Sequence, residues 1–289
     1  MKFWLTLDFE APELLLDYAR KAEELGFEGV VLPDHVVVND GPRTPHPSGF
    51  GLRADHLFVD PMVAYAAMAS VTTKLKFLSY VYVVPLRDPF MVAKLAASVA
   101  VMSNDRFVMG TGVGWLKEEF EAMGQDFHTR GKRMDEILPI IRDFWDDGYA
   151  EFHGKFFDFP RSGMFPVPKR PIPMWLGGHS LLAARRAADF EGYMPMRWME
   201  NPDGILDPQT EAEFALIDQI RAEKGLTGPY ERTMILGCDL TDAGQARKIE
   251  ERSRVGHLRY SGIQDGVERT YDEKIALISR FAEKIIQKL

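Results

Sequence analysis

Asn104-Asp-Arg-Phe-Val-Met-Gly-Thr-Gly-Val-Gly-Trp115, followed by a short acidic segment and Arg130-Gly-Lys-Arg133, is the stretch on which the fold turns. Residues 106–109 read as a buried strand. Gly110, Thr111, Gly112 and Gly114 follow as a loop, with Trp115 where the strand opens out. Glycines in alternation let the backbone approach a flat or anionic ligand and take torsions that a Cβ forbids. A strand running into a glycine-rich loop and then a helix is how α/β proteins build sites at strand C-terminal ends. The same glycines also fit a tight strand-to-helix turn with no ligand.

Outward from this stretch the chain keeps one rhythm. Upstream, residues 3–7 form a short apolar strand, residues 15–25 carry one apolar helical face closed by Gly26, and residues 29–33 form a second buried strand. Strand, helix, strand with short joints implies a parallel pair. Residues 36–60 interrupt with a long Gly/Pro-rich insertion holding His46 and His56. A helix at 61–72, an aromatic strand at 75–84 and a helix from Pro89 to Met102 follow, Pro89 suiting the first helical position.

Downstream lie a small helix at 116–123, a longer one from Arg130 with Pro139 inside it, and an aromatic, Pro-rich excursion at 149–173 that reads as a hairpin. Strands at 173–176, 192–196, 233–238 and 256–260 alternate with helices to the end, Asp242 capping one of them. Eight strands, nearly all followed by a helix, predict a (β/α)8 TIM barrel, class α/β, with insertions after strand two and before strand five, as one domain over residues 1–289. A doubly wound sheet is the rival, but its glycine fingerprint belongs after strand one, where Asp8-Phe-Glu10 stands.

Composition narrows the function. A net charge of −8 with no Lys/Arg block argues against nucleic-acid binding. Cys238 is the single cysteine, so no internal disulfide can form, and a cytoplasmic location fits. The N-terminus does not read as a signal peptide, and no apolar run of ~18 residues suggests a membrane span.

In a barrel the chemistry belongs at strand C-termini. Those positions hold Asp8 and Glu10, Asp34 and His35, residues 80–84, 111–115, 177–180 and 194–197, and Tyr260 with Ser261. His35 is the best proton-transfer candidate, because imidazole titrates near neutrality. Asp34 beside it could orient a loop or bond a cofactor edge; the pair also fits a capping turn. Gly177-Gly-His-Ser180 looks like a phosphate cradle: two glycines expose N–H groups and Ser180 can cap the next helix. An ordinary Gly-Gly turn with a serine cap fits the same residues. Tyr80 and Tyr82 hint at a face for a flat ring, since barrel interiors otherwise favour branched aliphatics. The seven histidines show no H-x-H or H-x-x-x-H spacing, and no metal ligand is assigned. No G-x-S-x-G marks a serine nucleophile.

The wording of several segments resembles the bacterial luciferase-like family of flavin- and deazaflavin-dependent oxidoreductases. They are Ala22-Glu-Glu-Leu-Gly-Phe-Glu-Gly29, Leu32-Pro-Asp-His35, Pro85-Leu-Arg-Asp-Pro89, the run from Arg106 to Gly124, Arg130-Gly-Lys-Arg-Met-Asp-Glu136, and Pro173-Met-Trp-Leu-Gly-Gly-His-Ser180. The run from Arg106 to Gly124 is closest to the F420-dependent branch. The resemblance implies coenzyme F420 or FMN, its ring across the strand C-termini near Gly112 and its phosphate at Gly177, Gly178, His179 and Ser180. It implies His35 as the catalytic residue, and a non-prolyl cis peptide at Tyr80–Val81 that buttresses the ring. It further implies hydride exchange with a small organic substrate, or oxygen activation for monooxygenation, and a homodimer with a helical face around 61–69 and 89–102. Val113 departs from the family, standing where several relatives carry a polar or charged residue. A non-catalytic flavin-binding barrel and a metal-dependent barrel hydrolase are the alternatives.

Overall fold

The structure is a computed structural model and describes residues 1–46, 49–261 and 269–289. The first βα unit is β1 (Lys2–Thr6), α1 (Leu15–Leu25) and β2 (Gly29–Leu32). Gly26 ends α1 in the left-handed region at φ 86° and turns the chain into β2. The insertion at 33–60 contains no helix or strand among its described residues, and α2 (Pro61–Ala69) follows it.

The third barrel strand is split into β3 (Lys76–Ser79) and β4 (Tyr82–Val83), both paired to the next barrel strand. Then come α3 (Pro89–Met102), β5 (Phe107–Gly112), α4 (Lys117–Ala122) and α5 (Arg130–Asp147), with Pro139 inside α5. The excursion before the fifth barrel strand is the antiparallel hairpin β6 (Tyr149–His153) and β7 (Asp158–Gly163). The chain closes with β8 (Met174–Gly178), α6 (Leu181–Ala187), β9 (Gly192–Pro195), β10 (Trp198–Met199), α7 (Pro208–Glu223), β11 (Glu231–Leu236), α8 (Ala243–Ser253), β12 (His257–Tyr260) and α9 (Tyr271–Lys284).

Strand pairing is parallel all round the barrel, in the order β1, β2, β3 with β4, β5, β8, β9, β11, β12 and back to β1. The expected eight-stranded barrel is therefore closed. The chain starts its helices in a recurring way. Asp60, Asp88 and Asp207 each accept hydrogen bonds from the first free N–H groups of α2, α3 and α7, and each is followed by a proline that needs no such bond.

Side chains alternate about the barrel wall. Phe3, Leu5, Val30, Leu32, Phe77, Phe107 and Met109 join the shell between barrel and helices, whereas Trp4, Val31, Leu78, Tyr80, Val108, Trp175 and Met194 fill the interior. This alternation corrects the reading of the opening stretch. Gly110 and Gly112 lie within β5, not in a loop after it. They occupy inward positions where a Cβ would meet the Ser79 carbonyl and the Met194 methyl (at 110) or Val81 (at 112). Arg106 is structural: its guanidinium donates to the carbonyls of Ala69, Thr72 and Leu75 and fixes the start of β5. Among the described residues no helix is long and apolar enough to cross a membrane.

Candidate active site at the barrel mouth

Tyr80 and Val81 sit at the break in the third barrel strand, and the peptide between them is cis, at the bond the family resemblance singled out. The Tyr80 ring points into the barrel, and its hydroxyl donates to the Pro195 carbonyl at 3.0 Å. The ring thus bridges the third and sixth barrel strands like a crossbeam. Val81 is half-buried beside it. A Cβ on Gly112 would fall 2.8 Å from its Cγ2, and one on Gly177 would overlap its Cγ1. Those two glycines let Val81 lie against the rim and leave a low, apolar platform. Tyr82, also expected to offer a ring face, points the other way. It lies in the outer shell beneath the Arg87 guanidinium, at 4.0 Å.

His35 stands at the end of the second strand with its side chain 11% exposed. Its Nδ1 lies 2.8 Å from Oε2 of Glu119, a residue 1% exposed on α4. The other Glu119 oxygen accepts from the backbone N–H of Val36 at 2.6 Å and, more weakly, of Val37 at 3.4 Å. A carboxylate is acceptor-only when ionised, so Nδ1 carries the proton and Nε2 is left with its lone pair. Phe58 and Trp115 pack edge-on against the imidazole.

The neighbouring Glu118 holds the other end of the same loop. It accepts from Arg43 N at 3.0 Å, Thr44 N at 3.1 Å and the Thr44 hydroxyl at 2.7 Å. The insertion is thereby strapped to α4 at two points. Its aromatic residues continue the cover. Phe9, turned into the left-handed region at φ 59°, stacks on Phe50 and His56 and meets Phe58 edge-on. His46 packs edge-on against Trp115, and burial, then His35 and His179, hold its imidazole below the ordinary value. His46 therefore lies within electrostatic reach of both the second-strand and fifth-strand ends of the rim.

Asp34 is buried, and both its oxygens are engaged. Arg87 grips them in a bidentate pair at 2.7 Å and 2.7 Å, and Val83 N–H donates at 2.8 Å. Its contribution to the site is to pin β4 beside β2. Gly177 and Gly178 end β8, where Ala183 fills the space a Cβ on Gly178 would need. Ser180 caps α6 through Ala183 N–H. His179 is exposed, and its carbonyl accepts from Gln209 at 2.8 Å. Gln209 in turn bonds the buried Glu213, which also receives the Tyr193 hydroxyl at 3.0 Å. The fifth-strand loop is thus propped from α7.

Other groups of the mouth stood out less in the sequence. Arg259 is buried in the interior with its guanidinium 3.1 Å from the Tyr80 ring centre. Asp8 lies within electrostatic reach of it; burial pushes the Asp8 carboxyl up, Arg259 pulls it back and Glu10 pushes it further up. Glu10 itself is paired with Lys274 at 2.7 Å. Val113 is half-buried and packs on the outer apolar shell. The two halves of the opening stretch meet at the rim, where Arg130 donates to the Gly114 carbonyl at 3.1 Å. Glu118 and Glu119 read in sequence as an ordinary acidic first turn, and no signal short of the three-dimensional register marks them. The inward alternation along β12 was the available hint for Arg259. Among the described residues no three His, Cys, Asp or Glu side chains gather as a metal site would require.

The profile of the luciferase-like monooxygenase family matches residues 5–238. The chain belongs to that family. This luciferase-like chain is 32% identical over 279 residues to the uncharacterized protein Rv0940c of Mycobacterium tuberculosis, covering 94% of each. Two solved structures share the barrel of this luciferase-like protein. The monooxygenase RslO1 from Streptomyces bottropensis superposes with a TM-score of 0.78 at 18% identity over 99% of each chain. The coenzyme F420-dependent tetrahydromethanopterin reductase from Methanopyrus kandleri does so with 0.72 at 13%, over 99% of this chain and 98% of its own.

Proposed function

We propose that this luciferase-like barrel is an oxidoreductase that binds F420 or FMN at its mouth. It would exchange hydride with a small organic substrate or, with FMN, activate oxygen for monooxygenation. The observation that carries the reading is His35, fixed by Glu119, at the rim that also holds the platform of Tyr80, Val81, Gly112 and Gly177. The family membership and the F420 reductase that shares the fold support it. The residues fit such a group: two rim positions lack a Cβ because Val81 occupies that space, which keeps the platform low enough for a planar ring.

The bound cofactor supplies the redox chemistry. The chain supplies everything around it. Tyr80, Val81 and Gly112 form the apolar seat, and Asp34 holds that seat in place through Val83 N–H and Arg87. Gly177, Gly178, His179 and Ser180, at the end of β8 and the start of α6, would hold the cofactor phosphate. His35 takes the substrate hydroxyl proton on Nε2 when substrate is oxidised, and returns it when substrate is reduced. Glu119 stabilises the imidazolium formed in between. The aromatic insertion excludes water, so that charges inside act at full strength.

Val63, Met91 and Met102 are each more than half exposed on α2 and α3, and support a homodimer through that face. The deciding experiment titrates the purified protein with FMN and F420 side by side. The holoenzyme is then screened with small alcohols and carbonyl compounds by the absorbance of the cofactor. Binding of neither cofactor overturns the proposal.

A further inference from the structure

Arg259 is a feature of the mouth that the proposed chemistry does not use. The residue is 6% exposed, and its Nε has no hydrogen-bond partner among the described residues. A guanidinium removed from water normally finds a carboxylate or a set of carbonyls, because an unpaired buried charge is costly. Three other buried or half-buried arginines follow that rule. Arg87 is paired with Asp34, Arg232 with Asp218, and Arg106 is ringed by backbone carbonyls. Arg259 has no ion pair among the described residues; its side chain faces the ring and hydroxyl of Tyr80, and its Nε is unmatched. Glu10 is already held by Lys274. Asp8 is coupled to Arg259 through space and accepts no hydrogen bond from it.

The position of the group is informative. The centre of the Arg259 guanidinium sits over the Tyr80 ring, 3.1 Å from its centroid. A guanidinium held over a ring keeps N–H groups along its edge, and here the Nε–H is unmatched. That edge matches a planar pair of oxygens, the geometry of a carboxylate. Tyr80 is also the crossbeam of the platform, so an edge held by its ring lies beside any ligand seated there.

We propose that Arg259 is an anion subsite inside the barrel mouth, built for the planar oxygen edge of a carboxylate-class ligand. The inference rests on the reading of the mouth as the active site. Two sources carry this chemistry: a carboxylate on the substrate, and the carbonyl-bearing edge of the cofactor ring.

Calorimetric titration of the full chain with benzoate and with uncharged benzamide, and separately with FMN and F420, tells them apart. If the ligand is substrate, benzoate binds wild-type protein at least tenfold more tightly than benzamide. Arg259→Met then removes the preference, and cofactor affinity stays unchanged. If the edge belongs to the cofactor, benzoate shows no preference, and Arg259→Met weakens FMN or F420 at least tenfold. Arg259→Lys keeps the charge and loses the fork. It should fall between wild type and Arg259→Met, and it decides the question if the Met variant does not fold. Folded variants that match wild type in both titrations overturn the subsite. Wild-type protein that binds neither cofactor overturns the proposed function instead, and the benzoate comparison then decides the subsite alone.

Discussion

The carboxylate of Glu119 reaches 84 residues back along the chain to hold Nδ1 of His35 at 2.8 Å. The same carboxylate takes the N–H groups that follow His35, so imidazole and backbone are fixed by one group. A histidine held this way has one tautomer and one direction for its remaining lone pair. The resemblance to the luciferase-like family raised the question of where an acid near strand four would come from, since Val113 is apolar. Glu119 brings a carboxylate to that side of the rim from the helix after the strand.

This arrangement separates two variants. His35→Ala removes the proton acceptor, and turnover should fall by about 100-fold or more with cofactor affinity largely retained. Glu119→Gln keeps the shape and frees the tautomer, so the loss should be smaller, about tenfold or more. It should also change the pH profile of kcat, which a purely structural defect would leave in place. Steady-state rates across pH on the cofactor-loaded variants check both; an unchanged profile in Glu119→Gln removes its positioning role.

The strap through Glu118 has its own pH signature. The Thr44 hydroxyl, together with backbone N–H groups, outweighs burial and holds this carboxyl down at about 2, against an ordinary value of 4.5. A carboxylate depressed on folding contributes stability in full above its unfolded value and loses it as pH falls through the folded one. Hydrogen-exchange protection of the Arg43 and Thr44 amides should therefore be complete above about pH 5 and decline toward pH 2. In Glu118→Gln it should be low throughout and nearly flat. Protection that is flat in the wild type disposes of the strap.

The barrel could be read in the sequence because its signals are local. Apolar strands, helical faces and Asp-Pro starts recur in order, and each is complete within about ten residues. His35 and the Tyr80–Val81 bond were legible for a different reason, through the wording of Leu32-Pro-Asp-His35 and the glycine-rich run. Gly110 and Gly112 were misplaced into a loop because a glycine facing the barrel interior and one in a turn look alike along the chain. The distinction exists only once Ser79, Val81 and Met194 are placed opposite them. Glu118, Glu119 and Arg259 have the same character. Each is an ordinary charged residue in a helix or strand until a distant segment gives it, or denies it, a partner of matching charge or polarity.

The platform makes a prediction about shape alone. Gly177→Ala would place a methyl into Val81 Cγ1. Overpacking of this kind costs about 1–3 kcal/mol, and here the strain falls on the proposed ring seat. FMN or F420 affinity should drop along with the denaturant midpoint. Trimming the opposing side chain, in Gly177→Ala with Val81→Ala, should restore most of the stability. A double variant no better than the single one would show that Val81 is not the obstacle.

At the other end of the barrel the first and last strands are joined by a buried side-chain network. Trp4 Nε1 donates to His257 Nδ1 at 2.9 Å across 253 residues, and His257 Nε2 lies 2.9 Å from Glu231. Because Nδ1 accepts, the proton sits on Nε2 and is given to Glu231, whose carboxyl this bond holds below the ordinary range. His257→Phe keeps the ring volume and leaves the buried Trp4 N–H unpaired. Such a group costs roughly 1–3 kcal/mol, more than the aromatic packing against Trp175 can return. Urea unfolding should show that loss, while the affinity for FMN or F420 at the proposed site on the opposite face stays at the wild-type value. A variant as stable as wild type would mean that the network does not tie β12 to β1. Lost cofactor affinity in a stable variant would mean that the two ends of the barrel are coupled.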